Sequence, residues 1–247
     1  MNSTMWGGLV LQSLLRRNFF CFTVLGVSLV CSLMYEVTMV FNDKSQVIKS
    51  VPTTHKVVAL TIDDGPHYKT TPELLAVLRE KQVKATFFLL GANAEAHPEI
   101  VMQTVADGHE IASHAYSHKR LNKLTKAEVI AEFERFETIT QPLAPKPSFF
   151  RPPDGAYNDD IVALARECGY TTVLWSIDAG DWRRPPVQRV VQAVLDNVKP
   201  GGIILMHDGQ YPLPTAQAAA IIIDKLQSQG YQLVTMSELM QYYEESQ

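Results

Sequence analysis

Val57-Val58-Ala59-Leu60-Thr61-Ile62-Asp63-Asp64-Gly65-Pro66-His67 is the stretch on which the reading of this chain turns. An apolar and β-branched run of this length, stopped by a Gly-Pro turn, predicts a strand covered on both faces, as in parallel sheets. Neighbouring side chains of an extended strand point to opposite sides. Asp63 and Asp64 can therefore serve one site only if the chain turns there, which Gly65 and Pro66 allow. One carboxylate can then hold a metal while the other takes a proton. Downstream, His114 and His118 are four residues apart, a spacing that brings two imidazoles to one side of a helical or tightly looped backbone. A structural zinc site is closed by four ligands, whereas one carboxylate and two imidazoles leave a position for water and point to hydrolysis.

Working outward, further strand-like runs extend from Ala85 to Leu90, Glu110 to Ser113, Ser148 to Arg151, Thr171 to Ile177, Gly202 to Met206 and Gln232 to Met236. Helical periodicity fills the gaps, from Thr71 to Gln82, Pro98 to Ala106, Lys126 to Thr140, Asp159 to Cys168, Val187 to Val198, Thr215 to Ser228 and Ser237 to Tyr243. Thr125 with Glu128 has capping-box spacing, Asn158 precedes two aspartates, and Gly108, Gly169 and Gly230 follow helix ends. Seven strand-helix units in succession predict a parallel sheet, either open and doubly wound or closed into a barrel. No Gly-x-Gly-x-x-Gly follows the first strand, which removes the usual dinucleotide reading. Polar chemistry follows the strands instead: Asp63 and Asp64, Asn93, His114, Arg151, Asp178 and Asp181, then His207 and Asp208. A barrel gathers all strand C-termini on one face, where an open sheet spreads them along a line. The fold is read as α/β, a distorted (β/α)7 barrel.

The 247 residues, 46% of them hydrophobic, suffice for a sizeable core. With 22 Lys+Arg against 26 Asp+Glu, the chain lacks the basic excess that nucleic-acid binding requires, so no nucleic-acid partner is expected. Arg16 and Arg17 precede a run without charge from Phe19 to Tyr35, closed by Glu36. This reads as an N-terminal hydrophobic anchor helix or an export signal; no Ala-x-Ala cleavage site follows, which favours an uncleaved anchor. The resulting division is 1–17 cytoplasmic, 18–36 membrane anchor, 37–55 a polar stalk and 56–243 an extracytoplasmic catalytic domain. Cys21 and Cys31 lie in the apolar stretch; Cys168, alone in the rest, reads as a small core residue.

Arg151 leaves an apolar strand for two prolines, which fix its backbone, and a guanidinium so held pairs with a carboxylate. Asp178, Asp181 and Trp182 stand in a Gly- and Arg-rich loop, where the indole is placed to wall a pocket. His207 ends the strand Leu205-Met206-His207, and oriented by a carboxylate such as Asp181 it is a candidate general acid. His55, His67, His97 and His109 read as structural, with His67 near enough to the aspartates to join their rim.

Together these segments resemble the polysaccharide deacetylase family, carbohydrate esterase family four, also called the NodB homology domain, from about Val57 to Gln241. The resemblance implies a distorted (β/α)7 barrel and metal-dependent removal of acetyl groups from sugar polymers. It implies Asp63 as general base, and Asp64, His114 and His118 as ligands of a divalent metal, Zn2+ foremost with Co2+, Ni2+ or Mn2+ as alternatives. Arg151 would tune Asp63, Asp181 would orient His207, and His207 would protonate the leaving amine. Trp182 and Leu205 would line the acetyl pocket, and the backbone N–H of Asp154 would face the oxyanion. The family has Tyr where this chain has Asp154, and a carboxylate there suits an oxyanion only if it points away. The expected substrate is an N-acetylglucosamine polymer of the peptidoglycan or chitin type, acted on by a monomer held at the membrane. An O-acetyl esterase on xylan-like chains and a sugar-binding wall protein without catalysis are the competing readings.

Overall fold

The computed structural model of the protein describes residues 47–243; the proposed cytoplasmic segment and anchor lie outside them. Strands run β1 (Val47–Ile48), β2 (Val57–Asp63), β3 (Thr86–Leu89), β4 (Glu110–Ser113), β5 (Phe149–Phe150), β6 (Thr171–Val173), β7 (Ile177–Asp178), β8 (Gly202–His207) and β9 (Gln232–Val234). The α-helices are α1 (Thr70–Glu80), α2 (Gly91–Ala96), α3 (Pro98–Ala106), α4 (Lys126–Thr140), α5 (Asp159–Glu167), α6 (Val187–Leu195), α7 (Thr215–Ser228) and α8 (Met236–Leu239). Among the described residues no helix is long and apolar enough to cross a membrane.

All nine strands belong to one sheet, ordered β1-β6-β5-β4-β3-β2-β8-β7 with β9 on β2, and every named pair is parallel. β2 lies at its heart, all seven residues buried, which is why its sequence is an unbroken apolar run rather than an alternating one. The expected single strand from Thr171 to Ile177 divides in two. Its first half, β6, pairs with β5; its second half, β7, pairs with β8 near the other end of the path. One short stretch of chain thus serves both ends of the sheet, and the sheet curls.

Period-two alternation separates two cores. Val58, Leu60 and Ile62 of β2, with Ile204 and Met206 of β8, face outward onto Leu74, Leu75 and Leu78 of α1 and onto Ala218, Ala219 and Ile222 of α7. Val57 and Ala59, with Phe88, Ala112, Phe149, Val173 and Ile203, face inward and are joined by Met236 and Leu239. The same parity directs Thr61 and Asp63, Leu205 and His207, and Arg151 to the inner side. Capping behaves as expected: Thr125 and Glu128 close a capping box, and the Asn158 side chain accepts the Ile161 N–H at 3.0 Å. Free Cys168 is half-buried beside an apolar cluster, and burial raises its thiol pKa.

The structure departs from expectation at both ends of the catalytic domain. Residues 47–55, read as stalk, belong to the folded unit: β1 pairs with β6, Val51 is buried, and the Val51 N–H donates to the Gly201 carbonyl at 2.9 Å. Its polar composition concealed this, because a two-residue strand carries too little pattern to read. The expected last helix is instead the short α8 followed by a 3-10 turn, Met240–Tyr242.

Gly201 lets the N-terminal strand approach, having φ +72° and a position where a Cβ would fall 1.7 Å from the Val51 carbonyl oxygen. Gly201→Ala should therefore cost about 2–3 kcal/mol, read as a lowered urea midpoint at unchanged m-value.

Candidate active site

Four strand ends build the centre. Asp63 and His207 are register partners on β2 and β8, and the Asp208 N–H donates to the Asp63 carbonyl at 3.1 Å. His114 follows β4 directly, its N–H on the Leu89 carbonyl at 2.8 Å, and Arg151 follows β5, its N–H on the Ser113 carbonyl at 2.9 Å. Asp64 should by strand parity face away from Asp63, but its own φ of 75° turns it inward. The turn thus begins one residue earlier than Gly65 and Pro66 suggested. Gly209 permits the next close approach, since a Cβ there would meet the Asp64 Cβ at 2.3 Å.

Asp64 Oδ1 lies 3.4 Å from His114 Nε2 and 3.3 Å from His118 Nε2, and one ligand atom from each residue falls within 4.8 Å of the others. Asp64 Oδ1 is buried without a hydrogen-bond partner, a state that a cation relieves. His114 Nδ1 lies 2.8 Å from the Arg151 carbonyl, and a donated proton there leaves Nε2 as the lone-pair atom facing Asp64. The donor set therefore fits a divalent metal of the zinc type. Burial works against ionisation of Asp64, but the adjacent His114, with His207 and His118, draws its pKa down to about 2.

The two histidines are joined by a loop rather than a helix, with Ala115 and His118 at φ 62° and 58°. Glu132 of α4, itself buried, holds that loop: Oε2 accepts the N–H groups of Tyr116 at 3.0 Å and Ser117 at 2.8 Å, and Oε1 accepts the Ser117 hydroxyl at 2.6 Å. Sequence reasoning missed Glu132. A signal existed, because it lies three residues after Val129 and one before Phe133, on the apolar stripe where an acid is out of place. Asn93 of α2, whose side chain donates to the Asp64 carbonyl at 2.6 Å, steadies the other side.

Arg151 is wholly buried. One amino group donates to Asp63 Oδ1 at 2.5 Å and Thr61 Oγ1 at 3.0 Å; the other donates to the Leu174 carbonyl at 2.9 Å, and the plane lies 4.1 Å from the Phe88 ring centre. Asp63 Oδ2 remains toward the centre, 3.8 Å from His114 Nε2. Asp181 is fully used as an acceptor. Its Oδ1 meets His207 Nδ1 at 2.9 Å and the Trp182 N–H at 3.0 Å, and its Oδ2 takes the His207 N–H at 2.8 Å and the Thr215 hydroxyl at 2.6 Å. Burial disfavours a charged His207, yet Asp181, Asp63 and Asp64 outweigh it and raise the pKa to about 9. Asp208, fully buried beneath this pair, is pushed up to about 7 by desolvation, with Oδ2 accepting the Thr71 hydroxyl.

A family model described as polysaccharide deacetylase matches residues 50–173. The chain belongs to the polysaccharide deacetylase family. A peptidoglycan-N-acetylglucosamine deacetylase of Bacillus cereus is 38% identical over 195 residues, 78% of this chain and 92% of the relative. A chitooligosaccharide deacetylase of a Bradyrhizobium species is 35% identical over 196 residues, 74% of this chain and 90% of its own length. A solved peptidoglycan N-acetylglucosamine deacetylase, in complex with 4-naphthalen-1-yl-N-oxidanyl-benzamide, superposes with a TM-score of 0.77 at 37% identity, covering 81% of this chain and 95% of the other.

The remaining residues singled out for this deacetylase are placed as follows. Trp182 is exposed beside Asp181, and Leu205 is buried two residues before His207 on the same strand. Asp154 stands in a 3-10 turn, Pro153–Gly155, with φ 58°, and its carboxylate pairs with Arg120 Nε at 2.7 Å. Arg120 thus offsets the charge of the carboxylate at this position.

Arg151→Met would strand the buried Asp63 carboxylate without its partner. The expected loss is about 3–5 kcal/mol of unfolding free energy, visible by denaturant titration, and far more than the ~1 kcal/mol typical of an exposed pair such as Arg79 with Asp107.

Proposed function

We propose that this polysaccharide deacetylase removes N-acetyl groups from an N-acetylglucosamine-containing cell-wall glycan, in a reaction dependent on a divalent metal held by Asp64, His114 and His118. The observation that carries the reading is the meeting, at one end of the curled sheet, of a metal-ready triad, a carboxylate with one oxygen free, and a histidine held by an aspartate. The named substrates of the relatives, peptidoglycan and chitooligosaccharides, agree with it. The fold in its finer form is the distorted (β/α)7 barrel of that family.

When bound, the metal polarises the acetyl carbonyl and lowers the pKa of a water at the site. Asp63 Oδ2 takes the proton of the water that attacks the carbonyl carbon, while Arg151 keeps Oδ1 fixed. His207 presents Nε2, because Nδ1 is engaged by Asp181, and gives its proton to the departing nitrogen as the carbon–nitrogen bond breaks. Acetate and a free amino sugar result, and the proton on Asp63 restores His207. Trp182 and Leu205 wall the acetyl methyl, and the Asp154 backbone N–H supports the oxyanion. An amine leaves an amide only if protonated. A donor that keeps its proton at neutral pH, as His207 does, therefore favours N-acetyl over the O-acetyl groups of xylan-like chains, and argues against a sugar-binding module without turnover.

We also infer a single-pass anchor at 18–36, retained as a membrane tether for a monomeric domain outside the cytoplasm. The support is the Arg16-Arg17 pair followed by an uncharged apolar run.

Asp63→Asn should lower acetate release from N-acetylglucosamine oligomers by at least about 100-fold with bound metal unchanged, whereas Asp64→Ala should lose the metal itself. Undiminished turnover by the first variant sinks the base assignment. For His207 the sign runs to the alkaline side. Its folded pKa lies above the ordinary 6.5, so its acid form is complete at neutrality and disappears as pH rises toward about 9. A bound cation offsets the pull of Asp63 and Asp64, so kcat/KM should fall on a limb somewhat below pH 9, displaced toward acid in Asp181→Asn.

A further inference from the structure

Among the described residues five large apolar or aromatic side chains are exposed, and three of them, Tyr68, Trp182 and Tyr211, belong to the loops at the mouth of the candidate site. Tyr68 comes four residues after Asp64 and Tyr211 four after His207. Their loops are tied together, since the Thr70 hydroxyl donates to the Gln210 carbonyl at 2.5 Å and the His67 ring stacks on Tyr211 at 6.4 Å and 4°. Gln210 also joins the Trp182 side, accepting from Arg184 at 2.8 Å and donating to the Trp182 carbonyl at 3.4 Å. The rim is therefore continuous from Trp182 to Tyr68, and its polar atoms are spent on holding aromatic faces outward.

Lys69 stands among these rings. Its ammonium lies 4.8 Å from the Tyr211 ring centre and 5.5 Å from that of Tyr68, and no carboxylate of the described residues pairs with it. A cation held over two phenol rings stays where the rings put it, and remains open to an anion arriving from solvent. Aromatic faces exposed together beside a catalytic mouth offer a surface on which a ligand can stack. Sugar rings, with apolar faces and hydroxyl edges, suit the tyrosines; a neutral sugar leaves the ammonium unmatched.

We propose that Tyr68, Lys69 and Tyr211 form a subsite for a sugar bearing a carboxylate, next to the residue that loses its acetyl group. The chain would thereby prefer an acidic glycan, one whose alternate sugars carry lactyl or peptide carboxylates, over a neutral chitin-like one. This rests on the deacetylase reading above and narrows its substrate.

The test pairs two tetrasaccharides of equal length, one of alternating N-acetylglucosamine and N-acetylmuramic acid and the other of N-acetylglucosamine alone. Binding is measured by calorimetry and acetate release is measured separately, for the wild type, Lys69→Met and Lys69→Glu. The wild type should bind the acidic sugar more tightly. The acidic-to-neutral affinity ratio should fall about two- to fivefold in Lys69→Met, as for an exposed ion pair, and further in Lys69→Glu. High salt should erase the wild-type preference. A ratio unchanged across the three proteins, or no binding of either sugar, overturns the subsite. A ratio that falls as stated in proteins releasing no acetate upholds the subsite while refuting the deacetylase reading; acetate release with an unmoved ratio does the reverse.

Discussion

The interior pairing of Arg151 with Asp63 is the constraint to which the rest of the domain conforms. A guanidinium with no solvent exposure is tolerable only where acceptors stand ready on several sides, and here they come from Asp63 and Thr61 of β2 and from the carbonyl of Leu174 just past β6. Those strands are not neighbours in sequence, so the ion pair fixes how the sheet is threaded. Its cost is met by the geometry it imposes. With one carboxylate oxygen immobilised, the other is left toward His114.

Burial polarises the domain along the strand axis. One end of the inner space is filled by Val51, Met236 and Leu239, and the layer above by Phe88, Phe149 and Ile203. At the other end, strand parity replaces each apolar residue by an ionisable one two positions later: Ala112 by His114, Phe149 by Arg151, Leu205 by His207. The dry layer beneath explains why neighbouring charges act so strongly here. Asp64 falls to about 2 and His207 climbs to about 9 although desolvation opposes both changes.

Much of this was legible in the chain. β2 was readable because a strand covered on both faces has no polar positions to confuse the pattern, and α3, α4 and α7 begin and end where periodicity and boundary residues place them. The division of Thr171 to Ile177 was not, since nothing local tells a strand to change partners; that depends on β8, which comes later in the chain. α2 escaped notice because six residues from Gly91 to Ala96 hold no apolar period. In the site, the chemistry-bearing residues announced themselves by type and position. Their supports were harder to read: Glu132 showed only as an acid out of place on an apolar stripe, and Arg120, the partner of Asp154, showed nothing, because an ion pair across the fold leaves no mark at either position alone.

The partner change within residues 171–178 has a consequence for how the molecule is made. Docking β7 on β8 carries the following Asp181 up to His207, so the join of the sheet and the orienting of that imidazole are one event. A chain that had assembled everything else would bury most of its oil-like surface and still leave the His207 ring without its carboxylate. Assembly of the sheet and the setting of that ring are therefore not separable in this chain.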